Sequence, residues 1–142
     1  MITYPILFVA KSQATSGTQM TWTSTSGEIE SVCAIPVEFE GPGGGLSPED
    51  LFAQALTNCF LATFKVFAEK SRIKYSNVSA AAELTVDIGD DKKPVMKECL
   101  LKVSIAGSEM PERVRMIAER AFQNGFILNS VKTILSLELD VR

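Results

Sequence analysis

The stretch at 47–70, SPEDLFAQALTNCFLATFKVFAEK, constrains this chain more than any other. It opens with the marks of a helix start. Ser47 can cap, Pro48 suits the first helical position, and Asp50 stands where the carboxylate partner of a capping serine belongs. Glu49 and Asp50 also place negative charge at the positive end of the helix dipole. From Leu51 to Phe64 no face carries a charge, and a helix that is apolar all round is expected to be buried all round. A membrane span is the rival reading. A span needs about 20 apolar residues, and the uncharged run stops at Lys65. Cys59 sits in mid-helix, on the side it shares with Ala55, Leu56, Ala62 and Thr63.

The rest of the composition narrows what that helix can serve. At 142 residues, 46% hydrophobic and 22% charged, the chain is expected to form one domain, 1–142, whose core needs no disulfide or metal. A net charge of −3 with scattered Lys and Arg leaves no footprint for nucleic acid. The start, MITYPILFVAKSQ, has an apolar run with no basic region before it and no small-residue cleavage site. It reads as a strand rather than a signal peptide, and no membrane partner is expected. Three irregularly spaced cysteines point to a reducing, cytoplasmic setting and not to a disulfide framework. The chain has no histidine, which removes Ser-His-Asp and Cys-His catalysis and imidazole-based zinc sites. No metal or other cofactor is expected, and chemistry is left to thiol, carboxylate, amine or backbone.

Strands are predicted at 6–10, 18–25 and 28–39, the last two joined at Ser26-Gly27. Period-two spacing puts Cys33, Ile35, Val37 and Phe39 on one face, so Cys33 reads as a small core residue. The loop Gly41-Pro42-Gly43-Gly44-Gly45 follows. It is not a phosphate cradle: Leu46 stands where GxGxxG needs glycine, no Gly-Lys-Ser/Thr is present, and Glu49 and Asp50 would repel an anion at the helix mouth. After the long helix come strands at 78–87 and 98–106, the second with Cys99, Leu101, Val103 and Ile105 on its dry face. A helix at 111–124 carries the stripe Val114, Ile117, Ala118, Ala121 and Phe122, with Gly125 expected as a left-handed terminator. A strand at 131–141 closes the chain. The order β-β-β-α-β-β-α-β defines an α+β fold, with an essentially antiparallel sheet packed on the long helix.

These residues together resemble the OsmC/Ohr family, the osmotically inducible and organic hydroperoxide resistance proteins. The likeness rests on the glycine loop, Ser47-Pro48-Glu49-Asp50-Leu51, Ala55-Leu56, Asn58-Cys59-Phe60 and, downstream, Ala118-Glu119-Arg120-Ala121. It implies an OsmC-like intertwined homodimer that reduces small organic peroxides with a thiol reductant. A peroxidatic cysteine becomes a sulfenic acid and a resolving cysteine closes a disulfide. Cys59 stands at the peroxidatic position and Glu49 matches the site's carboxylate. Two departures stand out. Gly125 occupies the place of the resolving cysteine, and Thr18 that of an arginine which holds the thiolate.

Three readings stay open on these residues. Cys59 reduces peroxides and an external thiol regenerates it; or the scaffold has lost the chemistry and binds a small apolar ligand or thiol; or Cys59 only packs in a structural dimer. In a variant of the first, Cys33 or Cys99 replaces the missing thiol. Glu49 lies about 15 Å from Cys59 along a straight helix at 1.5 Å per residue, so cooperation between them is expected only across a dimer interface.

Overall fold

A computed structural model describes residues 1–142. The element order is the expected one, with two added 3-10 turns. The chain divides into two compact units, Met1–Leu51 and Phe52–Arg142, and the division falls in the first turn of the long helix.

The first unit holds a three-stranded antiparallel sheet of β1 (Ala10–Gln13), β2 (Trp22–Ser26) and β3 (Ile29–Cys33), in that order. Ser26 pairs with Ile29 across a two-residue turn, so the hairpin falls within one residue of its predicted place. Two expectations move. Residues 6–9 lie outside any strand and are exposed, Leu7 at 85% and Phe8 at 90%. The strand predicted at 28–39 stops at Cys33, because Pro36 has no N–H for a ladder. Val37–Phe39 wind instead into a 3-10 turn that leaves Val37 and Phe39 exposed. Cys33 and Ala34 are buried as expected of core residues.

The glycine loop closes onto β3 as a packed connector. Leu46 N donates to Val32 O at 2.9 Å and Ala34 N to Leu46 O at 3.1 Å. A Cβ on Gly45 would stand 2.9 Å from the carbonyl carbon of Cys33 and from Val32 O, so only glycine fits there.

Helix α1 (Pro48–Lys70) starts as its sequence dictates. Asp50 N donates to Ser47 Oγ at 3.0 Å, and Ser47 N donates to Asp50 Oδ2 at 2.9 Å, a reciprocal capping box. Ser47 is itself buried. Ser47→Ala is expected to lower stability by about 1 kcal/mol, read as a lower urea midpoint at unchanged slope. At the other end Arg72 takes a left-handed conformation, φ 55. Arg72 N donates to Glu69 O at 3.0 Å and Ile73 N to Ala68 O at 2.9 Å, which satisfies two terminal carbonyls and turns the chain back.

The second unit contains most of α1, then β4 (Asn77–Ile88), β5 (Pro94–Ala106), α2 (Pro111–Asn124) and β6 (Ile134–Val141). Its sheet runs β4-β5-β6. β4 and β5 are antiparallel, but β5 and β6 pair in parallel. The antiparallel expectation is corrected here, and a single sheet becomes two. The α2 segment is long enough for the crossover that parallel neighbours need, and alternation in 131–141 tells of a strand without telling its direction. The core gathers Leu56, Phe60, Phe64 and Ala68 of α1, Cys99, Leu101, Val103 and Ile105 of β5, and Val114, Ile117, Ala118 and Ala121 of α2. Helical spacing on the helices and period-two spacing on β5 put each set on one face.

Within the chain α1 is not buried all round. Its opposite face, with Leu51, Gln54, Asn58, Ala62 and Val66, is open. By length and composition α1 is apolar enough to cross a membrane, a property shared with core helices. Four of its residues are already packed against β5 and α2.

Candidate functional site

Cys59 lies near the middle of α1, half-buried. At 100° per residue its direction falls between the core face (Leu56, Phe60) and the open face (Asn58, Ala62). Ala55, Thr63 and Val66 share that flank. Helix α2 runs antiparallel beside it. Arg113 Nη2 reaches the carbonyl of Ser71 at 3.4 Å, the Arg120 guanidinium stands 5.7 Å from the centre of the Phe67 ring, and Gly125 meets Cys59.

That last contact defines the site. A Cβ built on Gly125 would lie 2.8 Å from Cys59 Sγ and 2.9 Å from Leu128 Cδ1. Gly125 is not the left-handed terminator expected from sequence: its φ is −64 and ψ 137, a conformation open to any residue. A side chain at 125 would have to displace the sulfur or the end of the Leu128 side chain, which occupy its space. The sulfur therefore rests against the C-terminal end of α2, the negative end of that helix's dipole. It has no hydrogen-bond partner within the chain, and Arg113 and Arg120 are engaged further along α1, at Ser71 and Phe67.

The other candidates lie elsewhere. Glu49 is half-exposed in the first turn of α1 and forms no ion pair. Ten residues of helix, about 15 Å, keep it from Cys59 within one chain. Cys33 and Cys99 are free thiols, both buried. Thr18 is exposed, and its neighbour Gln19 donates from Nε2 to the carbonyl of Glu40 at 3.1 Å.

Burial pushes the Cys99 thiol above its ordinary pKa by stripping water from the thiolate. Folding thus favours the protonated thiol. The stability it contributes is complete below the unfolded thiol value and is lost as the pH rises towards the raised folded value. Wild type is expected to lose stability more steeply than Cys99→Val above about pH 8.5, checked by urea midpoints between neutral and alkaline pH. Parallel slopes in the two proteins would count against the buried thiol.

A long capped helix with one half-buried cysteine against the end of a second helix, set in an α+β frame, defines a protein of the OsmC-like class. The comparisons agree. The family profile described as OsmC-like protein matches residues 41–140, and the chain belongs to that family. It is 29% identical to an uncharacterised protein of Acinetobacter baylyi over 79% of this chain and 78% of that one. It is 25% identical to an organic hydroperoxide resistance protein of Xanthomonas axonopodis pv. citri, over 83% and 82% of the two chains. The solved structure of an OsmC-like protein of unknown function from Vibrio cholerae superposes with a TM-score of 0.81 at 19% identity, covering 95% of this chain and 99% of that one. At that identity the likeness speaks for the fold.

Proposed function

We propose that this chain reduces organic hydroperoxides through Cys59, is regenerated by a thiol from outside the chain, and works in the reducing cytoplasm as one OsmC-like domain in an intertwined homodimer. The observation that carries the reading is the place of the sulfur. It lies half-buried on an apolar flank and within reach of residue 125, where the resemblance assigns a second thiol. The relative from Xanthomonas bears the name of organic hydroperoxide resistance, which supports the choice of oxidant.

The Cys59 thiolate attacks the distal peroxide oxygen, the O–O bond breaks, and the alkoxide leaves as an alcohol after taking a proton. The sulfur is oxidised to sulfenic acid and the peroxide reduced. An external thiol attacks the sulfenic sulfur and releases water, leaving a mixed disulfide. A second external thiolate then frees Cys59 and departs as the oxidised disulfide.

Gly125 carries no sulfur, so the resolving step passes to the external thiol. The homodimer is supported by what a lone chain leaves wet. Ile2, Leu7, Phe8 and Val9 are exposed, and so is the uncharged face of α1 with Leu51 and Ala62. A second copy is also the source from which Glu49 could reach a Cys59. A second reading, a scaffold that binds a small apolar ligand or serves a structural role without turnover, draws on the absence of any in-chain hydrogen bond to the sulfur.

The test compares wild type with Cys59→Ser on cumene hydroperoxide and dithiothreitol. A fall of at least about 100-fold is expected, since the variant removes the nucleophile itself. Wild-type turnover no faster than that of the variant would end the peroxidase reading. Sedimentation as a monomer at micromolar concentration would end the dimer.

A further inference from the structure

The glycine that meets Cys59 follows an asparagine. Of the four asparagines in the chain, Asn58, Asn77, Asn124 and Asn129, only Asn124 precedes a glycine. The others precede Cys59, Val78 and Ser130, whose side chains crowd the nitrogen next to the asparagine. An asparagine side chain is open to attack by the main-chain nitrogen of the next residue, and glycine, with no Cβ, hinders that attack least. At 125 the space of a side chain is taken by Cys59 Sγ, 2.8 Å from where a Cβ would stand, and by Leu128 Cδ1 at 2.9 Å. The packing that seats the sulfur also leaves Asn124 with an unhindered successor.

The fold holds both reacting groups back. Asn124 is the last residue of α2 and is exposed, whereas Gly125 is buried. The Gly125 N–H donates to Ala121 O at 3.1 Å, and Asn124 Nδ2 donates to Arg120 O at 2.7 Å. On its other side Gly125 O accepts from Asn129 N at 2.9 Å. For the Gly125 nitrogen to reach Asn124 Cγ, the main chain between them must rotate out of its helical setting. That rotation breaks the two bonds to α2 and swings Gly125 against the sulfur and Leu128. Only the final turn has to open, and helix ends open at far lower cost than a core.

We propose that Asn124–Gly125 is a site of spontaneous deamidation, kept slow by the last turn of α2 and by the Cys59 sulfur packed on Gly125. The Gly125 nitrogen gives up its proton to hydroxide and bonds to Asn124 Cγ. The C–N bond of the side-chain amide breaks, and the amide nitrogen takes up a proton and leaves as ammonia. Water then opens the succinimide at either carbonyl, to aspartate or to isoaspartate. No oxidant or reductant takes part. Either product places a carboxylate at the negative end of the α2 dipole, where it is disfavoured. The isoaspartate also adds one methylene to the main chain immediately before the glycine that meets Cys59. This chemistry is independent of the peroxidase reading and stands whether or not Cys59 turns over.

The test is peptide mass analysis of the full chain, kept reduced, after incubation at mildly alkaline pH with and without urea. Conversion at Asn124 is expected to exceed that at the other three asparagines. In the folded chain it is expected to run about 10–100-fold slower than in urea, since two hydrogen bonds must open first. Cys59→Ala is expected to raise the folded rate at Asn124 at least about threefold, because the space left by the sulfur lets Gly125 swing. Hydrogen exchange separates this from general loosening: the Gly125 amide is expected to exchange faster in the variant while the amide of Leu101, in the core strand β5, keeps its wild-type rate. Folded conversion as fast as in urea, none at Asn124 when the unfolded chain is fully converted, or equal rates in wild type and Cys59→Ala would overturn the proposal. So would a faster conversion accompanied by equally faster exchange at Leu101.

Discussion

Gly125→Cys is expected to close a disulfide with Cys59 on exposure to mild oxidant. A Cβ at 125 lies 2.8 Å from Cys59 Sγ. Across a relaxed disulfide the same separation is about 3 Å, given an S–S bond of about 2.05 Å. The backbone at 125 is in an ordinary extended conformation, so a side chain there meets no conformational penalty of its own. Without reductant the variant is expected to show two free thiols, where wild type has three free and a fourth would have been added. Closing the loop from 59 to 125 limits the unfolded chain by about 4 kcal/mol in the chain-entropy account, less whatever strain Leu128 imposes. The measurements are a thiol count under denaturing conditions and urea midpoints with and without dithiothreitol. Four reactive thiols after oxidation would mean that residue 125 does not stand over the sulfur in solution. If Cys59 also turns over peroxide, the variant gains an internal route for resolving the sulfenic acid.

The largest loss of stability is expected from Phe64→Ala. Phe64 is fully buried, stacks on Phe60 with ring centres 6.0 Å apart, and receives the edge of Tyr75 at 5.1 Å. Truncation removes a ring shared by α1 and the returning chain and leaves a cavity between them, at a cost of about 3–5 kcal/mol. That is a large share of the roughly 5–15 kcal/mol that holds a domain of this size together. Phe64→Leu, which retains most of the volume, is expected to lose much less. Urea titration of the three proteins decides the matter. A loss below about 1 kcal/mol for the alanine variant would show that this face of α1 is not the centre of the core.

What could be read from sequence was local. The capping box at Ser47 and Asp50 involves groups three residues apart, and it formed as the pattern dictates. Helix α2 begins and ends where Pro111 and its apolar stripe place it. The dry face of β5, Cys99 to Ile105, follows from alternation alone. One misreading was local, and two others occurred where distant residues decide. Val37 and Phe39 continue a period-two pattern, yet Pro36 breaks the ladder before them. The parallel pairing of β6 depends on the path of α2 and leaves no mark in the strand itself. A glycine after a helix usually means a left-handed turn, whereas Gly125 answers to a sulfur 66 positions earlier in the chain. The uncharged run in α1 was legible, but its open face belongs to no partner inside one chain.

Among the first 51 residues only Cys33, Ala34 and Ser47 are withdrawn from solvent, and this orders events at the ribosome. The unit at 1–51 emerges before the other with almost nothing to collapse upon, while the unit able to form its own core is translated after it. A nascent chain of this protein therefore carries an adhesive segment while the second unit is being made. Its exposure to misassociation ends only once the later-made half has settled and something has come to cover what was made first.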